Sequence, residues 1–221
     1  MNELGALTST QVATGAWTLL IPMGSTEQHG PHLPLDTDTR IAVEVASRVA
    51  AELHGVLVAP VLAITASGEH AGFPGTLSVG TDVVARMIVE IVRTAGPEFE
   101  RIVVINGHGG NLAALRSARE VCEREGRAFE IWWPRVPGGD AHAGHTETSV
   151  MLAFASDSVL LDRAEAGATA PIDELVEEMR AEGVAAVSPN GVLGDPTGAT
   201  AAEGDRILAT WVGEVVRLLQ R

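Results

Sequence analysis

Ile102-Val103-Val104-Ile105-Asn106-Gly107-His108-Gly109-Gly110-Asn111 is an unbroken β-branched run that gives way to a glycine-rich turn. Four apolar residues without polar alternation are what a strand buried on both faces requires. Beyond the turn, from about Gly110 to Glu125, Leu112, Leu115 and Cys122 recur at helical spacing, and Gly126 stops the pattern. The same strand-then-helix reading repeats in both directions. Upstream lie an apolar strand at Trp17–Met23 and a helix carrying Ile41, Val45, Val49 and Leu53, with Asp36 or Thr37 as its N-cap. A second strand, Val56–Leu62, and a helix from Thr81 to Ala95 ending at Gly96-Pro97 follow. Downstream come a fourth strand at Phe129–Trp133, a helix from Thr146 to Ala155, a Gly/Pro-rich loop at Ser188–Thr200, and a closing amphipathic helix on Ile207, Leu208, Trp211, Val212, Val215 and Leu219. This alternation predicts one α/β domain over residues 1–221, its mostly parallel sheet covered on both faces and joined by right-handed crossovers.

Composition narrows the function classes. Of 221 residues 46% are apolar and 20% charged, an ordinary globular balance. Fifteen basic against 29 acidic side chains leave a net charge of −14, and no Lys/Arg run exists. That excludes nucleic acid, whose binders need clustered cations, and an anionic membrane surface. The single Cys122 and the absence of a signal-like N-terminus lead us to expect a cytoplasmic protein. Cys122 reads as a small buried side chain, His54 as a solvated helix-end residue, and Trp132-Trp133 as sheet packing.

Chemistry concentrates where strands end. In open parallel sheets, sites form at the carboxyl ends of the strands, and three histidine-bearing clusters begin there: after Met23, after Ile105 and after Trp133. The first, Glu27-Gln28-His29-Gly30-Pro31-His32-Leu33-Pro34-Leu35-Asp36-Thr37-Asp38, offers Glu27, His29 and Asp38 from a loop stiffened by Gly30, Pro31 and Pro34. Carboxylate oxygen with imidazole nitrogen is the ligand set of Zn²⁺, Mn²⁺ and Fe²⁺. The glycines around His108 make it available to an ion above the sheet edge. A phosphate cradle at the same turn would want the lysine of a P-loop, which is missing. His142 and Glu147 straddle a loop-to-helix transition, so one can ligate while the other moves protons. His145, and Glu69-His70 within Gly68–Thr76, are candidates for touching substrate.

Ser25 to Pro34 (STEQHGPHLP), Phe73 to Thr76 (FPGT), Asn106 to Asn111 (NGHGGN) and His142 to Ser149 together resemble the creatininase family of amidohydrolases, in that family's order. The resemblance implies a three-layer α/β/α sandwich, two divalent metal ions per subunit (Zn, Fe or Mn) and a homo-oligomer, often a hexamer. It places Glu27, His29, Asp38 and His108 on metal ligands, Asp38 bridging, and matches His142 to a histidine of proton transfer. Creatininase proper carries Tyr-Glu after the third-motif histidine, and that glutamate is a ligand. Here Gly109-Gly110 stand instead, which points away from creatinine and leaves Glu147 to fill the vacancy. Two stretches, 137–150 and 191–204, resemble the mycofactocin-system branch more closely. That likeness implies a metal-dependent peptidase acting on the modified mycofactocin precursor peptide and freeing a fragment from its C-terminal Val-Tyr pair. Hydrolysis of a small cyclic amide or formamide, as in other branches, is the alternative.

Overall fold

A computed structural model describes residues 2–221. Four parallel strands, β1 (Trp17–Met23), β2 (Val56–Val58), β3 (Phe99–Asn106) and β4 (Glu130–Trp132), pair in the order β2-β1-β3-β4. Leu20 lies opposite Val103, and Met23 opposite Asn106, so the carboxyl ends of the two central strands finish side by side. Side chains alternate across the sheet. Leu20, Val103 and Ile105 join a core with helices α2 (Thr37–Glu52), α5 (His145–Ala155) and α8 (Ala201–Leu219). On the other face Leu19, Ile21, Met23, Ile102 and Val104 pack with α3 (Thr81–Thr94) and α4 (Leu112–Arg124). The result is the three-layer α/β/α sandwich. Trp211 of α8, 2% exposed, is among the largest buried side chains and meets Trp132 edge-on. Cys122 is buried in α4 and His54 exposed, as read from the sequence.

Some boundaries differ from the sequence reading. β2 ends at Val58 rather than Leu62, because Pro60 cannot donate to the ladder, although Leu62 still bridges to Met23. β4 is limited to Glu130–Trp132. Asp36 occupies the N-cap of α2 without capping it: its carboxylate turns to Arg40, 2.7 Å away. α8 starts at Ala201, where the Thr200 hydroxyl accepts from the Glu203 amide at 3.2 Å. Three helices went unread, α1 (Ser9–Val12), α6 (Ile172–Glu182) and α7 (Val184–Val187), and the last two pack on the turn at Gly68–His70. Among the described residues no helix is long and apolar enough to cross a membrane.

One contact decides how the helices seat on the strand ends. A Cβ at Gly107 would lie 2.4 Å from the Asp38 carbonyl oxygen. Only glycine lets the first turn of α2, with Asp38 on it, close over the end of β3.

Candidate metal centre

Six of the sequence-predicted residues converge above β1 and β3. Glu27, Asp38 and His108 form one group of potential ligands, His29, Asp38 and Glu147 a second, and Glu27, His29 and His142 a third; within each the ligand atoms lie within 4.8 Å of one another. Asp38 belongs to the first two and faces both ways, with Oδ1 3.1 Å from His29 Nε2 and Oδ2 3.0 Å from His108 Nδ1. The Ser25 hydroxyl donates to Oδ2 at 2.9 Å and fixes the carboxylate.

Three imidazoles are held in the same manner. His29 Nδ1 lies 3.1 Å from the Glu27 carbonyl oxygen, His108 Nε2 2.9 Å from that of Ala66, and His142 Nε2 2.9 Å from that of Gln28. A carbonyl can only accept, so each of these nitrogens carries the proton. The Gln28 side-chain amide also lies 3.0 Å from His142 Nε2, but it has only two hydrogens. His70 Nδ1 at 2.9 Å and the Gly191 carbonyl at 3.0 Å take both. The opposite ring nitrogens therefore aim lone pairs at carboxylates. His29 Nε2 is 4.0 Å from Glu147 Oε2, His108 Nδ1 3.2 Å from Glu27 Oε1, and His142 Nδ1 3.8 Å from the same oxygen. Both oxygens of the fully buried Glu27 lack any hydrogen-bond partner. Buried acceptors facing acceptors demand a cation between them. Imidazole with carboxylate is the donor set of Zn, Mn or Fe, so the residues present fit such an ion.

In the absence of a metal ion, protons can meet the same demand. Burial would lower the His29 pKa, but the Asp38 carboxylate overrides it and raises it to about 9. His108 likewise goes well above its ordinary value despite burial, drawn up by Glu27 and Asp38. Burial works to raise the Asp38 pKa, yet His29 and His108 hold it well below the carboxylate range. Glu147 is pushed up to about 8 by burial and by Asp38. His142 moves the other way: burial, with His29 and His70 alongside, holds it well below a normal imidazole.

The turn after His108 supports a role for Glu147. At Gly110 a Cβ would sit 2.2 Å from Glu69 Oε1 and 2.7 Å from the Ala66 carbonyl, so no side chain fits there. Glu147, on the first turn of α5, instead reaches the second group from the opposite side. It accepts from the Ala143 amide at 2.6 Å, and Ala143 adopts the left-handed φ of 52° to deliver that bond.

The remaining candidates divide. His70 is buried with Nε2 3.3 Å from Glu27 Oε1, closer to the carboxylates than a purely substrate-facing residue. Glu69 stands at the rim, Oε1 3.5 Å from His108 Nε2. His145 lies apart, lining another cavity together with Asp195. Sequence reasoning missed Ser25, the Gln28 hub and His32, whose Nε2 meets the Thr148 hydroxyl at 2.8 Å. Their position inside the same motif was the available signal.

A parallel α/β sandwich with a buried carboxylate–imidazole cluster over its central strand ends defines a metal-dependent hydrolase. Residues 5–219 match the creatininase family, creatinine amidohydrolase, and the chain belongs to that family. It is 52% identical over 226 residues to the mycofactocin precursor peptide peptidase of Mycolicibacterium smegmatis and 51% identical over 231 residues to that of Mycobacterium tuberculosis. All of this chain is covered in both cases, with 91% and 92% of the relatives. Among solved structures it is similar to a mutant creatininase of Zn–Zn type, at TM-score 0.80 and 26% identity over 98% of this chain and 96% of that one. It is also similar to a manganese creatininase, at TM-score 0.73 and 25% identity over 99% and 97%.

Proposed function

We propose that this chain hydrolyses an amide bond in the modified mycofactocin precursor peptide and releases a fragment derived from its C-terminal Val-Tyr pair. The observation that carries the chemistry is the set of buried lone pairs facing one another around Glu27 and Asp38. Two divalent ions per subunit, Zn, Fe or Mn, would be held by Glu27, His29, Asp38, His108 and Glu147, with Asp38 shared. Bound there, they supply Lewis acidity and an activated water nucleophile.

The chain's own residues do the rest. His142 stands beside both ligand groups, its Nε2–H pinned to the Gln28 carbonyl and its Nδ1 open toward Glu27. Because its surroundings hold it neutral, Nδ1 can take a proton and return it to the departing amine. Gln28 keeps the ring in that orientation. Glu69, His70 and His145 are the substrate-facing candidates, with Glu69 the best exposed to a cavity beside the site. The peptide is favoured over a small cyclic amide or formamide by the likeness to peptidases across the whole chain. Bare Gly109-Gly110 in place of the creatininase glutamate argues the same way.

Mass spectrometry of the modified precursor peptide incubated with metal-loaded protein tests this, with Glu27→Ala as control. A C-terminal fragment released by the parent alone is the expected result. An intact peptide in both reactions at confirmed metal occupancy would overturn the substrate, and small cyclic amides would then be assayed.

A further inference from the structure

Beside the metal ligands opens a cavity of about 680 Å³, within the usual range of ligand sites. It begins at Gly109-Gly110, directly after His108, and runs between α4 and α6. Its wall contains Arg116 of α4 and Arg180 of α6, both exposed, and neither forms an ion pair among the described residues. Two unpaired guanidinium groups facing one cavity are unusual in a chain of net charge −14. The opposing charges in its lining are Glu182 and Glu69, and burial raises the pKa of Glu69. The floor is made of glycine: an added Cβ would meet nothing within 4 Å at Gly68 or Gly109. A floor without side chains lets an extended backbone lie close to the protein.

We infer that this cavity seats the segment of the peptide substrate beside the scissile bond, and that Arg116 and Arg180 bind a carboxylate carried by that segment. The inference rests on the peptidase reading for its substrate class. Guanidinium is suited to this task, because its planar fork pairs with a carboxylate through charge-assisted hydrogen bonds. The carboxylate can belong to an acidic side chain or to a chain terminus, and both present the same chemistry. The α6 segment supplies one arginine and roofs the cavity, which gives that otherwise coreless helix a role.

The test uses the metal-loaded full chain with Arg116→Gln, Arg180→Gln and the double variant. Arg119→Gln is the control, on the same helix but outside the cavity. We expect the double variant to raise KM about 10-fold or more while kcat stays within about 2-fold. Raised salt should weaken the parent more than the double variant. Replacing acidic side chains of the peptide by their amides, or amidating its C-terminus, identifies which carboxylate is read: the matching change raises the parent's KM and adds nothing to the double variant's. Binding of a fluorescent precursor peptide is measured in parallel. If the parent cleaves and the variants keep its KM, this inference is overturned and the peptidase reading stands. If the parent binds peptide without cleaving it and the variants bind more weakly, the inference holds and the peptidase reading fails. If the parent neither cleaves nor binds, both fall.

Discussion

Glu27 gives the sharpest account of why this cluster needs a cation. It is fully buried, has no hydrogen-bond partner within normal geometry, and is faced by the unprotonated ring nitrogens of His108 and His142 at 3.2 and 3.8 Å. Replacing it with alanine removes a ligand from two of the three groups, so Glu27→Ala should lose both metal and turnover, read by elemental analysis and by peptide cleavage. His142→Ala should keep its metal and lose turnover by about 10²–10⁴-fold; recovering that variant metal-free would make His142 a ligand. Proton linkage adds a third expectation. Without metal, His29 titrates at about 9, Glu147 at about 8 and His108 well above its ordinary value, so at neutral pH all three hold protons that a ligand must give up. Metal loading at pH 7 should therefore release about three protons, and apparent affinity should rise with pH from about 7 to beyond 8. Calorimetry in buffers of different ionisation enthalpy counts them, and a titration releasing none at pH 7 would remove His29, His108 and Glu147 from the ligand set. These residues were legible in sequence because a strand, a stiff turn and a helix start confine them. His145 was less so: its motif is shared with His142, but one helical position turns it toward Asp195.

At the scale of elements, the site depends on how closely α2 approaches the end of β3. Gly107 sits at that contact, and the atom a Cβ would strike is backbone, the Asp38 carbonyl at 2.4 Å, which cannot rotate away. Gly107→Ala should therefore cost about 1–3 kcal/mol of stability, as overpacking in a closed interior does. Because Asp38 serves two ligand groups, the same change should lower metal content. Denaturant unfolding paired with metal analysis checks both, and a stable variant with full metal would show that the helix can retreat freely. Continuous apolar strands were readable because both faces are buried: β1 spans the Trp17–Met23 expected of it. Where one proline or one edge interrupts the ladder, as at Pro60, the apolar pattern ran on past the true strand end. The α6 segment escaped notice for the opposite reason. None of its residues is buried, and Val176 and Met179 line a cavity rather than a core.

For the whole molecule, the layered fold followed from strand–helix alternation, whereas subunit association leaves no period in a sequence. One surface nonetheless bears on it. Thr65 pairs with Ser78, and the Val79 amide donates to the Thr65 carbonyl at 2.9 Å, which draws Ile64, Leu77 and Val79 together. Val83 follows on α3, and the four are 46%, 50%, 41% and 53% exposed. Apolar groups left in water at adjacent positions favour association, since covering each gains about 25 cal/mol per Å². The homo-oligomer implied by the family resemblance would cover them. Leu77 also belongs to the segment paired with Thr26, next to Glu27, so association there would brace the ligand loop itself. We therefore expect light scattering after size exclusion to give a mass above one subunit's 23.0 kDa. Leu77→Glu should shift it toward the monomer and weaken metal retention. A parent running as a monomer would refute the association, and a monomeric variant with full metal would separate assembly from the stability of the site.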